Sequence, residues 1–245
     1  MPALLKYNMV HKFDAKKAGI LDSPDRTQFL NPESILDKLR LTGEMVLADL
    51  GCGTGFFSIP ASRRVNKVFS LDIQQEMLDI LKDKIKKENI TNIETILSEE
   101  SSIPLHDNSV DVLLMSNVFH ELEDRKSLLR EAKRVLTNAG RLVIIDWKKI
   151  VMDFGPPFEE RLNEKEVFEI CHENGFTFLE QSSAGPYNYL LVFGKPTPEK
   201  QAQKMEERST DKHFHGERTQ YRDIDDLIRK TMDDRKQRRS KELGR

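Results

Sequence analysis

Cysteine is scarce in this sequence. Cys52 and Cys171 are the only two thiols, too few for a disulfide framework and in keeping with a reducing compartment. Long hydrophobic runs are missing too: no stretch reaches the about 18 apolar residues that suggest a membrane span. Nor does one sign of charge dominate. The 39 Lys/Arg and 41 Asp/Glu leave a formal net charge of -2, so no whole-molecule field draws nucleic acid or a membrane surface. Met1-Pro2-Ala3-Leu4-Leu5-Lys6 lacks the apolar core of a secretory signal, and a cytoplasmic location is expected.

Charge is nevertheless abundant, and it is unevenly placed. Charged residues make up 33% of the chain against 38% hydrophobic. Residues 196–245 hold 14 of the basic and 11 of the acidic residues, which leaves the first 195 residues five charges negative and the tail three positive. The tail has too few apolar residues to repay the entropy of ordering a core. Pro196-Thr197-Pro198 marks the boundary. Three parts are expected: an N-terminal helical lid over 1–40, a ligand-binding domain over 41–195, and a charged tail over 196–245 that is partly helical or disordered. A homodimer and a protein partner docked on the tail remain open.

Strand and helix patterns alternate through the middle part. Short apolar runs at Met45–Leu50, Val65–Leu71, Ile93–Leu97, Val110–Met115 and Arg141–Trp147 read as buried strands. Helical spacing fills Gln74–Lys87, Asp124–Leu136 and Glu164–Asn174, with Gly140 and Gly175 as stop signals after the last two. Phe176–Glu180 and Tyr189–Phe193 then form two strands with no helix between them, so they should pair antiparallel. The expected fold is α/β: a doubly wound, mostly parallel, seven-stranded sheet with an antiparallel last strand.

The chemistry concentrates in Asp49-Leu50-Gly51-Cys52-Gly53-Thr54-Gly55, where the first strand meets a loop. Glycines there let backbone N–H groups approach a ligand, and ligands collect at the carboxyl ends of such strands. Asp72 follows 21 residues after Gly51, at the end of the second strand, where a carboxylate can accept both hydroxyls of a ribose. The spacing is G-x-G-x-G rather than the dinucleotide G-x-G-x-x-G, and Asp49 at its mouth would repel a pyrophosphate. S-adenosylmethionine carries a sulfonium, an ammonium and a ribose, and suits both carboxylates. A nicotinamide dehydrogenase and a non-catalytic cofactor-binding module are the two alternatives.

Four blocks extend this reading: Val46–Gly55, Ser70-Leu71-Asp72-Ile73, Ile103–Val112 and Arg134–Leu142. In sequence and order they resemble the class I S-adenosylmethionine-dependent methyltransferases of the ubiquinone/menaquinone-biosynthesis-like, type 11 branch. The resemblance covers about Phe13 to Lys195. It implies methyl transfer to a small organic acceptor, with the methionine portion against Gly51, Cys52, Gly53 and Gly55 and Asp49 beneath. It further implies Asp72 on the ribose, Ile73 beside the adenine, Glu99 near the adenine amino group and Asn117 facing methionine and substrate. The N-terminal segment would form a lid in which His11, Phe13 and Arg26 line the acceptor site.

His120 follows the fourth strand and, with an imidazole that titrates near neutrality, is a candidate general base. Asp146 ends the fifth strand at the ligand edge and is a second catalytic candidate. Each has a plainer alternative: His120 as a hydrogen-bonded structural group, Asp72 as a helix cap, Glu99 as a solvated side chain. Trp147 stands after Asp146 where metal-dependent catechol-type enzymes have Asn, and no metal is expected. Two cysteines do not supply an arsenic site. Gly155-Pro156-Pro157-Phe158 reads as a loop, and His213 and His215, lacking a third ligand, as surface residues. Glu217–Lys241 has the spacing of an amphipathic helix.

Overall fold

The computed structural model describes Phe13, Lys16 and residues 18–195. His11, His213, His215 and the Glu217–Lys241 segment lie outside the described residues. Three short helices, α1 (Ala18–Leu21), α2 (Pro24–Phe29) and α3 (Pro32–Lys38), precede the sheet. Their starts are written locally. Ser23 and Asn31 accept hydrogen bonds from Asp25 N and Ser34 N, and Pro24 and Pro32 occupy the first helical turn, where no N–H is needed.

Seven strands follow: β1 (Val46–Leu50), β2 (Lys67–Asp72), β3 (Ile93–Leu97), β4 (Val110–Ser116), β5 (Leu136–Trp147), β6 (Thr177–Ser183) and β7 (Asn188–Gly194). Interleaved are α4 (Ser58–Ser62), α5 (Gln75–Glu88), α6 (Arg125–Val135) and α7 (Glu164–Glu173). The sheet order is β3-β2-β1-β4-β5-β7-β6. β7 runs antiparallel to both neighbours, and every other pair is parallel. The order reverses between β1 and β4, which places the ligand crevice at their carboxyl ends.

Alternation along the strands explains why both faces are covered. Leu47, Val112, Leu114, Val143, Ile145, Leu190 and Val192 pack on the side of α3 and α4. Ala48, Leu113, Met115, Leu142, Ile144, Tyr189 and Leu191 pack on the side of α6 and α7. With both faces buried, the strands read as unbroken apolar runs rather than as polar-apolar alternation. Truncating one of these leucines to alanine would cost about 2–5 kcal/mol.

Two boundaries depart from expectation. Helix α6 ends at Val135, and Leu136, its C-cap, is already extended, so Gly140 is not the helix stop. It lies inside β5, where pairing with β4 shifts register between Val110 and Val112 and a Cβ at position 140 would meet Thr137 O at 2.9 Å. The strand starts earlier because this irregular pairing needs no apolar alternation. β6 likewise runs on to Ser183, beyond the apolar signal, because β7 supplies its backbone partners.

Candidate active site

A cavity of about 770 Å³ opens at the carboxyl ends of β1, β2 and β4. Asp49 leaves the end of β1 fully buried. Its Oδ2 accepts from Ser58 Oγ at 2.6 Å, and Ser58 Oγ accepts from Ser70 Oγ at 2.7 Å. Burial, opposed by the Ser58 hydrogen bond, pushes the Asp49 carboxyl up to about 6. Gly51 has φ +72, and a Cβ there would meet Val118 Cγ2 at 2.3 Å, so only glycine lets the turn lie this close to the segment after β4.

Asp72 closes the turn from β2. Its Oδ2 accepts from Gly53 N and its Oδ1 from Gln74 N, each at 2.9 Å. One carboxylate thus ties the glycine turn to the start of α5, while burial pushes its pKa upward against those bonds. Asp72 is a cavity wall and the bond partner of Gln74, the residue before α5, but it does not cap the helix: the N-cap position is Gln74, without a side-chain cap. Ile73, Ser98 and Glu99 continue the same wall. Ser98 Oγ and Ser116 Oγ are buried without a hydrogen-bond partner among the described residues, although both residues line the cavity. Such groups are ordinarily satisfied, so they are free to meet a polar ligand.

Past β4, Asn117 takes a left-handed conformation (φ 58). Its Oδ1 accepts from Asn188 Nδ2 at 2.8 Å and its N–H donates to Ile145 O. His120 sits in a single 3-10 turn, Phe119–Glu121. Asp146 holds it twice: Oδ2 accepts from His120 N at 3.0 Å and Oδ1 meets Nδ1 at 2.7 Å. An ionised carboxylate only accepts, so in the neutral imidazole Nδ1 carries the proton and Nε2 is left as the acceptor. Nε2 lies 3.8 Å from Glu121 Oε1. Burial works against a charged His120, but Asp146, then Glu121 and Glu160, outweigh it and raise the imidazole pKa. Burial also drives Glu121 up to about 7, with His120 opposing.

A family model described as a methyltransferase domain matches residues 48–144, which include the glycine turn, Asp72 and His120 but not the Phe13–Phe29 or Trp147–Pro157 parts of the lining. A crystal structure of a SAM-dependent methyltransferase from Aquifex aeolicus is 37% identical, covers 75% of this chain and all 100% of its own, and has a TM-score of 0.72. This chain belongs to the S-adenosylmethionine-dependent methyltransferases. Among curated relatives, the demethylmenaquinone methyltransferase of Lactococcus lactis is 31% identical over 165 residues. The ubiquinone/menaquinone biosynthesis C-methyltransferase of Vibrio campbellii is 32% identical over 115 residues. These matches cover 65% and 45% of this chain but only 62% and 44% of the relatives. Neither the dehydrogenase nor the non-catalytic alternative is favoured by these likenesses.

The methyltransferase cofactor fits the residues present: two carboxylates, a glycine turn with no room for a Cβ, and two unpartnered serine hydroxyls on one cavity. Of the residues singled out from sequence, Asp49, Gly51, Cys52, Gly53, Asp72, Ile73, Glu99, Asn117, His120, Phe13 and Arg26 all line it. Gly55 does not. Its φ of +91 and a Cβ position 2.4 Å from Leu81 Cδ1 make it the contact between the loop and α5. Asp146 also stands off the cavity, 1% exposed behind His120, so it can act only through that imidazole. Cys52 lines the cavity, but burial raises its thiol pKa well above the usual value, which leaves it no nucleophile.

Sequence reasoning missed another stretch of wall. Phe29, Trp147, Phe154, Gly155, Pro156 and Pro157 all face the cavity. Phe154 packs edge-on to Tyr187 at 4.8 Å and near Phe29 at 5.7 Å and Trp147 at 6.1 Å. Arg161, 3% exposed, folds this loop inward by donating to Ile150 O, Phe154 O and Pro156 O at 2.6–3.0 Å. The segment between α1 and α2 is tied down too: Asp22 Oδ1 accepts from Thr54 Oγ1 at 2.7 Å and Lys84 Nζ at 2.6 Å. Among the described residues no cluster of three or more His, Cys, Asp or Glu could hold a metal, and no helix is long and apolar enough to cross a membrane.

Proposed function

We propose that this chain transfers a methyl group from S-adenosylmethionine, in line, to a small organic acceptor held in the same cavity. The observation that carries the reading is the convergence of Asp49, Asp72 and the Gly51–Gly53 turn with the Asp146-held His120 on one cavity. Bound there, the cofactor supplies a methyl group already activated by its sulfonium. The chain's own task is then to hold, orient and dehydrate. Asp72 takes the ribose hydroxyls, Asp49 the methionine ammonium, and Ile73 and Glu99 flank the adenine. Orientation alone can supply about 7–11 kcal/mol in favourable models.

His120 Nε2 receives the proton of an acceptor that arrives protonated, while Asp146 fixes the tautomer and stabilises the imidazolium. The aromatic stretch around Trp147 and Phe154 suits a flat apolar acceptor. Demethylmenaquinone, in the name of the Lactococcus relative, is the first to try. Calorimetric titration with S-adenosylmethionine, S-adenosylhomocysteine and NADH tests the cofactor. Micromolar binding of the first two is expected, weakened about 100-fold by Asp72→Ala through the loss of charge-assisted hydrogen bonds. Saturable binding of NADH alone would overturn the reading, as would no binding of either adenosyl compound.

A further inference from the structure

The charges along the cavity are lopsided. Among the described residues Asp25, Asp49, Asp72, Glu99, Glu100 and Glu121 line it, and against these six carboxylates stand the His120 imidazole and one permanent cation, Arg26. Arg26 projects from α2, in the lid, and its guanidinium lies 4.0 Å above the Phe56 ring. Among the described residues its one hydrogen bond runs from Nη1 to Leu21 O at 3.1 Å. A guanidinium carries five N–H donors, so most of this one is uncommitted at the cavity. Burial lowers its pKa to about 10, with Asp22 and Asp49 opposing, and it stays charged at neutral pH.

Arg26 and Asp49 each act on the other's charge, yet no direct ion pair joins them. A salt bridge would neutralise both. A cation and an anion held apart on one cavity instead match an α-amino acid, whose carboxylate and ammonium sit on the same carbon. The acidic surroundings suit every positive group of the cofactor and leave its single anion, the carboxylate, one place to go. We infer that Arg26 binds the α-carboxylate of the methionine portion while Asp49 takes its α-ammonium, so that this lid residue belongs to the cofactor and not to the acceptor. The inference rests on the methyl-transfer reading and corrects the acceptor role that the sequence alone suggested for Arg26.

The test compares two ligands that differ by that carboxylate, S-adenosylhomocysteine and its decarboxylated amine analogue, by calorimetry on wild type, Arg26→Gln and Arg26→Lys. Wild type should bind S-adenosylhomocysteine about 10- to 100-fold tighter than the analogue, the range of a charge-assisted hydrogen-bonded pair. Arg26→Gln should erase that difference by weakening S-adenosylhomocysteine alone, and Arg26→Lys should retain part of it. Equal weakening of both ligands would mean that Arg26 only shapes the lid, and would overturn the assignment. Unchanged affinity for both would return Arg26 to the acceptor, and would overturn it as well. Should neither ligand bind wild type, the methyl-transfer reading itself fails. Thermal melting of each ligand-free variant separates loss of fold from loss of contact, and Arg26→Lys serves if Arg26→Gln does not fold.

Discussion

Asp49 to Gly53 reach the cavity as one unbroken stretch of chain, whereas the aromatic wall joins Phe29 of α2 to Trp147 and Phe154, at the end of β5 and in the loop after it, far along the sequence. The first region is polar, acidic and fixed by short-range geometry: a strand end, a tight turn and a carboxylate that bonds the turn's own backbone. The second is aromatic and depends on folding a loop back, a job done by Arg161 through three carbonyls. The contrast teaches that an invariant ligand can be met by a compact local device, while a changeable one is met by assembled surface.

The largest effect that would sharpen this contrast lies between the two regions. His120→Ala should lower kcat by about 10²–10⁴-fold for a protonated acceptor and leave cofactor affinity unchanged. The wild-type rate should climb with pH as His120 deprotonates, above the usual imidazole midpoint because Asp146 and Glu121 outweigh the effect of burial. A stopped-flow or steady-state pH profile checks both. Equal loss of cofactor binding would erase the distinction between the regions.

Next in size is Asp49. Burial raises its carboxyl from 3.8 to about 6, so the folded chain holds that proton more tightly than the unfolded chain does. The cost of the bare charge is absent below about pH 4 and is complete above about pH 6, where two pKa units correspond to about 3 kcal/mol. Asp49→Asn should therefore raise the melting temperature of the ligand-free protein at pH 7, by up to about that energy, while abolishing cofactor binding. A variant that melts lower and still binds would refute it. The smallest change falls on the aromatic region: Phe154→Ala should raise acceptor KM about tenfold with cofactor Kd unaltered, the size of losing one edge-on ring contact and its buried area.

Legibility in the sequence follows the same divide. β1 and the glycine turn were readable because their chemistry is carried by neighbours in the chain, and Asp72 because it ends the next strand, 19 residues beyond the Gly53 it bonds. Helix α5 was readable because Met77, Leu78 and Leu81 recur on one face, and all three are buried. Gly140 misled because a glycine is a common helix stop, whereas α6 stops without one and Gly140 serves a shifted β pairing. Asp146 was placed correctly at a strand end but faces an imidazole instead of the cavity, a matter of side-chain direction that no spacing encodes. The Gly155-Pro156-Pro157 loop was seen as a loop. That it lines the cavity depends on Arg161, whose reach across eleven residues to Ile150 leaves no periodic trace.

The position of β7 has a consequence for how the chain comes into being. This strand pairs on one side with β5 and on the other with β6, so the last described strand fills a slot inside the sheet and not at its edge. Until residues 188–194 have emerged from the ribosome, β5 presents a bare, apolar edge along Arg141–Trp147. Vectorial synthesis can therefore assemble the β3-β2-β1-β4-β5 half early, but closure waits for a late, long-range insertion. A nascent chain stalled before Asn188 is the form that a chaperone would meet, and the one most exposed to mispairing with its own copies.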